Sequence, residues 1–439
     1  MARECPPRAL ASPRLAGHPA AHARAHRHAL NDTGGERSVP DHRTSHPRPR
    51  GGTMTETDPD RRPPADGEAT SGRAPRRRII ALAAATLTAV ALAVLTPWPR
   101  GFQGTPTGDA ELMSELAQTL GSKHWQHIAA ARIDGDEVTF AGTGADEHTE
   151  FEIGSITKTF TAALFADAID RGEIDADTRL GEVWPDLHGK VAEVSLKSIA
   201  QQRSGLPSQK PWSGWGEGLS GILANYVRAD PYRGDAAAIV AGLHEAEVGK
   251  KEPEYSNFGF AVLGQAIAEV TGEDYGELVR TRITEPLGMK ETFVPDSPEG
   301  LSHGRTSSGL SAAPWVMGGS APAGAIRSTA HDMSIWLRAV RDGSAPGANA
   351  AEPRADFDEG DRIGWAWFTT KTRAPNLTWH NGGTGGYTSF LGFDAQSGRG
   401  VIVLNDSANW VDAAAALISD TSDAGPARPV DVRQEGARS

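Results

Sequence analysis

The sequence predicts an α/β (α+β) protein in which one antiparallel sheet is flanked by helices and carries an inserted, mostly helical domain. Two β-like runs surround Asp134-Gly135, which is a typical hairpin turn. A second pair of β-like runs, within residues 388–405, surrounds a glycine-rich turn. Between these pairs, residues 155–330 mostly show apolar residues at helical spacing. Strands near both ends therefore predict one sheet, with a ligand cleft beside the helical insertion.

The first hundred residues differ in composition from the rest of the 439-residue chain. Residues 1–103 contain 16 Arg, no Lys and 9 Asp or Glu, so a whole-chain charge of −12 leaves −19 for the remainder. Residues 1–78 lack the apolar periodicity needed for a core, and we expect them to be disordered. Met54 offers an alternative start, in which case residues 1–53 are a mis-called extension.

An uncharged apolar run occupies residues 79–95 and directly follows the three arginines at 76–78. At 1.5 Å per residue the run reaches about 26 Å, enough for a short membrane span. The arginines favour an orientation with the N-terminal end inside the cell. We interpret the run as a transmembrane signal-anchor or a signal peptide, although a buried core helix has the same composition. Residues 96–108 would be a linker, and the domain that follows would be extracytoplasmic, either membrane-anchored or secreted.

The globular pattern extends over residues 109–423, and residues 424–439 are predicted to form a flexible tail. This acidic region offers no stripe of Lys and Arg for phosphate contacts, which excludes nucleic acid as a partner. The only cysteine, Cys5, precedes the domain. Disulfides, zinc-thiolate sites and a cysteine nucleophile are therefore excluded from it.

Ser155 and Lys158 lie three residues apart at the start of a predicted helix that ends near Gly172. Residues at this spacing share a helix face, so the lysine can approach the serine hydroxyl. A serine becomes a good nucleophile when an adjacent base removes its proton, and burial can lower the pKa of a lysine enough for that role. Taken alone, the pair is better explained as an N-terminal helix residue and a solvated lysine.

Tyr255, Ser256 and Asn257 immediately precede a second predicted helix. A tyrosine beside a lysine ammonium can be pushed toward phenolate and serve as a proton shuttle, because the positive charge lowers its pKa. An asparagine amide there can hold both the lysine and a substrate carbonyl. The simpler alternative is that Asn257 caps the helix and Tyr255 packs on the surface.

His380 begins a run of four glycines around Thr384, beside a predicted strand. Glycines in a strand indicate close approach of another backbone or of a ligand, so the run is either a tight turn or a strand edge that a substrate lines. A lone histidine is usually structural, and one in this position is functional about as often as not.

The three stretches, in this order, resemble the serine β-lactamase and D-alanyl-D-alanine carboxypeptidase family in its class C-like form. The matching motifs are S-I-T-K at 155–158, Y-S-N at 255–257 and H-N-G at 380–382. Supporting matches begin at residues 201 and 322, with Q-Q-R-S-G-L-P and P-A-G-A-I-R-S-T-A. The resemblance spans about residues 110–418 and implies the β-lactamase/transpeptidase-like fold.

The resemblance also implies roles for the matching residues. Ser155 would be the acylated nucleophile, and Lys158 and Tyr255 would share the general-base and general-acid work. Asn257 would orient the substrate. The backbone N–H groups of Ser155 and Gly383 would form the oxyanion hole.

His380 occupies a position where class C β-lactamases typically carry lysine, which favours a carboxypeptidase or esterase type over efficient β-lactam hydrolysis. If its imidazolium binds a substrate carboxylate, affinity for such substrates should rise as pH falls through its pKa. The neighbouring residues Gly382, Thr384 and Gly385 would contact the substrate.

The sequence therefore predicts an exported serine hydrolase that forms an acyl-enzyme with D-amino-acyl peptides, such as a peptidoglycan stem peptide, with esters or with β-lactams. No cofactor and no metal site is predicted, because the histidines within residues 1–53 are interpreted as compositional bias. The alternative function is a non-catalytic, membrane-tethered binder of cell-wall fragments or β-lactams. The connection from Trp212 to Trp215 is interpreted as a lid or as simple packing, and no oligomeric state is predicted.

Overall fold

The structure, a computed structural model, describes residues 73–95, 101–211, 229–232, 234–370 and 376–418. The Trp212–Trp215 connection and the predicted tail at 424–439 lie outside these residues, as do residues 1–72. The lid and the disorder expected in those segments stay predictions.

The strands and helices follow in chain order. The strands are β1 (Gly101–Phe102), β2 (Pro106–Gly108), β3 (His124–Trp125), β4 (Ile128–Asp134), β5 (Glu137–Thr143), β6 (Phe151–Glu152), β7 (Gly304–Arg305), β8 (Ser311–Ala312), β9 (Arg327–Ser328), β10 (Ala355–Asp356), β11 (Asp361–Ile363), β12 (Phe368–Thr370), β13 (Leu377–Gly383), β14 (Thr388–Asp394) and β15 (Arg399–Asn405). The α-helices are α1 (Arg73–Leu95), α2 (Ala110–Leu120), α3 (Thr157–Asp170), α4 (Leu180–Val183), α5 (Leu196–Ala200), α6 (Ala236–His244), α7 (Asn257–Thr271), α8 (Tyr275–Val279), α9 (Glu285–Leu287) and α10 (Ala330–Arg341). The shorter helical segments are 3₁₀ turns at Gly154–Ile156, Gly318–Ala323, Ala348–Ala351 and Asp412–Ile418, and a π-helical turn at Arg280–Thr284.

A nine-stranded antiparallel sheet has the order β10-β11-β12-β13-β14-β15-β4-β5-β2. The predicted hairpin at Asp134-Gly135 joins β4 to β5, with Asp134 opposite Glu137. The second predicted strand pair is β14 and β15, and β15 pairs with β4 over seven residues. Strands from both ends of the domain therefore build one sheet, which confirms the predicted fold class.

Side chains alternate between the two faces of the sheet, and each face buries a separate apolar core. Along β4, Ile128 and Ala130 face α2, whereas Ala129 and Ala131 belong to the larger core on the other face. The N-terminus of α2 is capped by Asp109, whose carboxylate accepts a hydrogen bond from the Leu112 amide at 2.8 Å. The sheet is thus covered on both faces by helical segments.

The helical region between β6 and β9 shares the larger core with the sheet. Its central element is α3, in which every residue from Thr157 to Ala168 is buried. A helix that is apolar or buried all round must be surrounded by other elements. Phe160 of α3 stacks on Trp336 of α10 with ring centroids 4.3 Å apart. The predicted helical insertion therefore packs as a layer on the sheet, with α3 buried inside it.

The segment before the domain departs from the prediction in two places. Residues 101–108, which we assigned to a linker, contain β1 and β2, and β2 forms an edge of the main sheet. The strand was missed because its three residues, Pro-Thr-Gly, show no apolar alternation and are held by backbone pairing. The apolar run at 79–95 lies in α1, which begins earlier, at Arg73. Among the described residues, no helix has the length and hydropathy to cross a membrane, which leaves the transmembrane assignment unsupported.

A 3₁₀ helix, Asp412–Ile418, follows β15. Ala414 and Ile418 of this helix, and Val411 just before it, belong to an apolar core that also contains sheet residues. The Asp412 side chain bonds to Asn381 on β13 instead of capping the segment. A 3₁₀ helix is wound more tightly than an α-helix, and over this short segment it makes both the apolar contacts and the hydrogen bond to Asn381.

We predict that Gly264→Ala destabilises the protein, whereas Gly276→Ala does not. A Cβ at Gly264 on α7 would overlap the ring of Pro322, and overpacking typically costs about 1–3 kcal/mol. A Cβ at Gly276 on α8 would meet Val294 at 3.6 Å, an ordinary contact, and alanine improves helix propensity. Urea unfolding of both variants measures the difference. Equal stability of the two variants would mean that α7 does not depend on close approach to Pro322.

Candidate active site

Ser155 lies in the 3₁₀ turn that joins β6 to α3 and is partly exposed. The turn is sharp because Gly154 has a φ of +52°, a conformation that glycine adopts without strain. A Cβ at Gly154 would lie 2.6 Å from the backbone nitrogen of Gly383, so no larger residue fits between the turn and β13. The sequence thus folds Ser155 onto the N-terminal end of a buried helix, beside the end of a strand.

Lys158 is completely buried one turn along from Ser155. Its Nζ lies 3.0 Å from Ser155 Oγ, 2.7 Å from Asn257 Oδ1 and 2.7 Å from the Ala323 carbonyl oxygen. All three partners are uncharged, and burial lowers the pKa of Lys158 well below its ordinary value. A neutral Lys158 amine can accept the proton of the Ser155 hydroxyl.

Tyr255 lies beside this pair. Lys158 Nζ is 4.8 Å from the centroid of the Tyr255 ring, over its face. Burial raises the pKa of Tyr255 above its usual range, and interaction with the Ser155 side chain opposes this only in part. This direction favours the neutral phenol, which can donate a proton, over the phenolate form of the proton shuttle.

Asn257 is the first residue of α7 and does not cap it. The cap is Ser256, whose hydroxyl accepts a hydrogen bond from the Gly259 amide at 2.8 Å. The Asn257 side chain is left free to accept from Lys158. The simpler alternative for this stretch therefore applies to the neighbouring serine and not to Asn257.

Gln202 was not singled out from the sequence, although it lies in the Q-Q-R-S-G-L-P stretch. Its side chain is buried, its φ is +55°, and its Oε1 accepts a hydrogen bond from the Ser256 amide at 2.7 Å. Its own carbonyl oxygen accepts from the Glu254 amide at 2.8 Å. Gln202 thus fixes the backbone on both sides of Tyr255. Its unusual φ could not be inferred from residue type, since glutamine rarely adopts it.

The glycines at the end of β13 bring this strand against the turn that holds Ser155. A Cβ at Gly382 would overlap the Ile153 carbonyl oxygen, which also accepts a hydrogen bond from Ser389 Oγ at 2.8 Å. A Cβ at Gly383 would lie 2.7 Å from the ring of Trp410. The predicted close approach is therefore between protein segments at both glycines. Trp410 had no signal in the sequence, because it follows the strand by many residues.

Thr384 and Gly385 form the turn between β13 and β14. Thr384 N–H donates to the Tyr387 carbonyl at 2.9 Å, and its hydroxyl accepts from the Tyr387 amide at 3.1 Å. A Cβ at Gly385 would lie 2.9 Å from Trp315 Nε1. The Thr384 hydroxyl is thus already used to close the hairpin.

His380 on β13 is 1% exposed. Its Nδ1 lies 2.6 Å from the Asn381 carbonyl oxygen, which assigns the hydrogen to Nδ1. Nε2 is then an acceptor, and it has no hydrogen-bond partner among the described residues. Burial is the main cause that lowers the pKa of His380 to about 3. The ring is therefore neutral at physiological pH, which does not favour the conditional role of an imidazolium that binds a substrate carboxylate.

Asp412 and Ala323 complete the surroundings of the site and were not singled out from the sequence. Asn381 Nδ2 donates to Asp412 Oδ1 at 2.5 Å, so the Asn381 side chain points away from the His380 side of the strand. Burial raises the pKa of Asp412. The Ala323 carbonyl lies in the P-A-G-A-I-R-S-T-A match, but a backbone acceptor leaves no trace in residue types.

Known proteins resemble this chain over most of the domain that holds the site. A family model described as Beta-lactamase matches residues 114–422. A D-alanyl-D-alanine-carboxypeptidase/endopeptidase, AmpH, of Escherichia coli K12 is 23% identical over 337 residues, covering 66% of this chain and 84% of the relative. Penicillin-binding protein 4 of Amycolatopsis lactamdurans is 29% identical over 198 residues, covering 39% and 49% of the two chains.

Two solved structures have a similar fold. The class C beta lactamase of Rhodobacter sphaeroides has a TM-score of 0.60 at 20% identity, covering 70% of this chain and 98% of that one. A D-stereospecific amidohydrolase from Streptomyces sp. has a TM-score of 0.59 at 20% identity, covering 72% and 100%. At this identity the likeness extends to the fold.

We predict that His380 makes the protein less stable in acid. Because its folded pKa is depressed to about 3, the unfolded chain binds more protons as pH falls below the ordinary histidine value of about 6.5. Between about pH 7 and pH 4.5, the free energy of unfolding should fall by about 2 kcal/mol more in the natural protein than in His380→Gln. Denaturant unfolding at the two pH values measures this. An equal fall in both proteins would mean that the histidine is protonated in the folded state.

Proposed function

The chain belongs to the beta-lactamase family of serine hydrolases, and from this premise we propose that it forms an acyl-enzyme on Ser155. The observation that carries the proposal is the fully buried Lys158 amine, 3.0 Å from the Ser155 hydroxyl. An uncharged base in contact with a serine is the arrangement that activates the hydroxyl as a nucleophile.

In the acylation step, Ser155 Oγ attacks the carbonyl carbon of the acyl donor while its proton passes to Lys158 Nζ. The carbonyl π electrons move to oxygen and form a tetrahedral oxyanion. The backbone N–H groups of Ser155 and Gly383 would stabilise this charge, and each such donor typically contributes about 3 kcal/mol. The 2.6 Å separation between a Cβ position at Gly154 and Gly383 N supports this pairing, because it brings the Gly383 amide close to the residue before Ser155.

Collapse of the intermediate breaks the bond to the leaving group, which takes a proton. Tyr255 would supply that proton, since its raised pKa keeps it protonated at neutral pH, and Lys158 would then restore it. Asn257 would hold the Lys158 amine and orient the substrate carbonyl. Water then attacks the carbonyl carbon of the acyl-enzyme, and its proton passes by way of Tyr255 to Lys158. The bond to Ser155 Oγ breaks as Ser155 regains its proton, which completes the hydrolysis.

We infer that the acyl donors are D-amino-acyl peptides, esters or β-lactams, because AmpH is a D-alanyl-D-alanine carboxypeptidase and the similar Streptomyces protein is a D-stereospecific amidohydrolase. The neutral His380 ring offers an Nε2 acceptor and no positive charge. It would therefore accept a hydrogen bond from a donor group of the substrate and would not pair with a substrate carboxylate. Gly382, Thr384 and Gly385 would border the substrate through backbone atoms.

The acyl donors suggested by these relatives include cell-wall peptides, and we propose that the domain is exported. The arginines at 76–78 before an apolar run are the supporting feature. Fractionation of native cells tests this proposal. Recovery of the protein only in the cytosol would contradict export, and it would leave the acyl-enzyme proposal unaffected.

We predict that a fluorophosphonate and a fluorescent penicillin label Ser155, as detected by peptide mass spectrometry. Ser155→Ala should abolish labelling and the turnover of a p-nitrophenyl ester. Lys158→Arg should slow acylation by about 10²- to 10⁴-fold, because arginine remains charged and cannot act as a base.

Ser114→Ala is the matched control, because Ser114 is exposed on α2, and this variant should keep full activity. Absence of label with both probes in a folded protein would overturn the acyl-enzyme. Labelling without turnover would favour the non-catalytic binder over the hydrolase.

We also predict that substrate charge does not change the pH dependence of binding. Because the pKa of His380 is about 3, the ring stays neutral across the range in which enzymes are normally assayed. KM for a D-alanyl-D-alanine peptide, which carries a free carboxylate, and KM for a neutral p-nitrophenyl ester should keep a constant ratio between about pH 5.5 and pH 8. If KM for the peptide alone decreased as the pH was lowered, the result would support an imidazolium of His380 that binds the substrate carboxylate.

A further inference from the structure

Three segments close to the turn that holds Ser155 bring two histidines and a glutamate together. Strand β6 pairs with β9, with Phe151 opposite Ser328. His148 lies in the turn that precedes β6, and His331 lies in the first turn of α10, just after β9. The His331 amide donates a hydrogen bond to the Glu147 carbonyl oxygen at 2.9 Å, which joins these two flanking segments.

The glutamate comes from the other side of β9. An antiparallel bridge joins Phe293 to Arg327. The same register sets Glu291 beside Thr329, whose hydroxyl donates to Glu291 Oε2 at 3.0 Å. Backbone pairing therefore places Glu291 near the two histidines, in addition to the side-chain contact of Glu291 with Thr329.

The donor atoms are within reach of a single ion. One ring nitrogen of His148, one of His331 and one Glu291 carboxylate oxygen all lie within 4.8 Å of one another. His148 Nδ1 is 3.1 Å from Glu291 Oε2, and His331 Nδ1 is 4.0 Å from the same oxygen. Tetrahedral zinc with bonds of about 2.0–2.1 Å requires ligand atoms about 3.3–3.4 Å apart, so shifts of less than about 1.5 Å complete the site.

A buried carboxylate supports the ligands from behind. Asp332 is 1% exposed, and its Oδ1 lies 3.1 Å from His331 Nδ1. Its Oδ2 accepts hydrogen bonds from the Glu291 amide at 2.7 Å and from the Thr292 hydroxyl at 2.9 Å. Asp332 thus holds both His331 and the backbone of Glu291.

The three ligands remain accessible to an ion from solution. The side chains of His148, Glu291 and His331 are 52%, 37% and 41% exposed. The two histidine rings lie 5.0 Å apart at 36°, close together without hydrogen bonding to each other. An exposed His–Glu ion pair would explain one of these histidines and adds little stability. It does not explain why the second histidine lies 4.0 Å from the same carboxylate.

We propose that His148, Glu291 and His331 form a binding site for a divalent transition-metal ion, with Zn²⁺ as the ion of choice. Two imidazoles and one carboxylate suit zinc and its neighbours, whereas Mg²⁺ and Ca²⁺ prefer oxygen ligands alone. Water fills the remaining coordination positions. The ion links three chain segments near β6, the strand that leads into the turn with Ser155. Its role is therefore to stabilise that part of the fold.

Zinc binding to the full chain tests the site. The natural protein should bind one more Zn²⁺ than His148→Asn/His331→Asn in equilibrium dialysis with metal analysis. The histidines of residues 1–53 are present in both proteins, so their binding cancels in the difference. Zn²⁺ at about 100 times its Kd should raise the Tm of the natural protein by about 5 °C and leave that of the double variant unchanged. Glu291→Gln, which keeps the shape and removes the charge, should lose the same zinc.

The matched control is His188→Asn/His303→Asn, which removes two exposed histidines elsewhere and should bind zinc like the natural protein. Labelling of Ser155 by the fluorophosphonate reports whether each variant is folded. Co²⁺ should show the visible absorption of a tetrahedral site in the natural protein and in this control, but not in His148→Asn/His331→Asn, and Mg²⁺ should have no effect on Tm. Equal zinc numbers and equal Tm responses in the natural protein and the His148→Asn/His331→Asn variant would overturn the proposal, as would equal losses in both double variants.

Discussion

The buried amine of Lys158 is the constraint around which the active-site region is organised. An amine with no carboxylate partner is tolerated in the interior only if it is neutral and fully hydrogen-bonded. Its three hydrogen-bond partners come from the turn before α3, the first residue of α7 and the carbonyl of Ala323. The helical layer must therefore pack closely around α3, and the same packing removes water from the base.

A second constraint is the contact between this layer and the sheet. Ser155 belongs to a turn at the end of β6, whereas Gly383 belongs to a central strand of the sheet. Their approach depends on positions without a side chain, Gly154 and Gly382, at which a Cβ would meet backbone atoms. Backbone contact of this kind holds a hydrogen-bond donor more rigidly than a side chain can, because it has no rotamers to order. The glycines thus set the distance between nucleophile and strand.

Features that depend on local pattern could be predicted from the sequence. The hairpins and the helix α3 follow from apolar spacing and turn residues, and the three motifs identified the family. Features that depend on distant neighbours could not be predicted in this way. The protonation states of Tyr255 and His380 follow from burial by residues far along the chain. Asp412, Gln202 and the Ala323 carbonyl act through contacts that no spacing rule could indicate, and β2 and the closing 3₁₀ helix are held by pairing and packing instead of propensity.

The adjacency of β15 and β4 has a consequence for the order of assembly. These strands pair over seven residues at the centre of the sheet, although one is near the start of the domain and the other near its end. During synthesis, the early hairpin has no central neighbour until the last strands have left the ribosome. Contacts of such high sequence separation make folding slow, because a long loop must close before they form. The nascent chain therefore carries Ser155 and Lys158 long before it carries β13, β14 and β15, which complete the centre of the sheet.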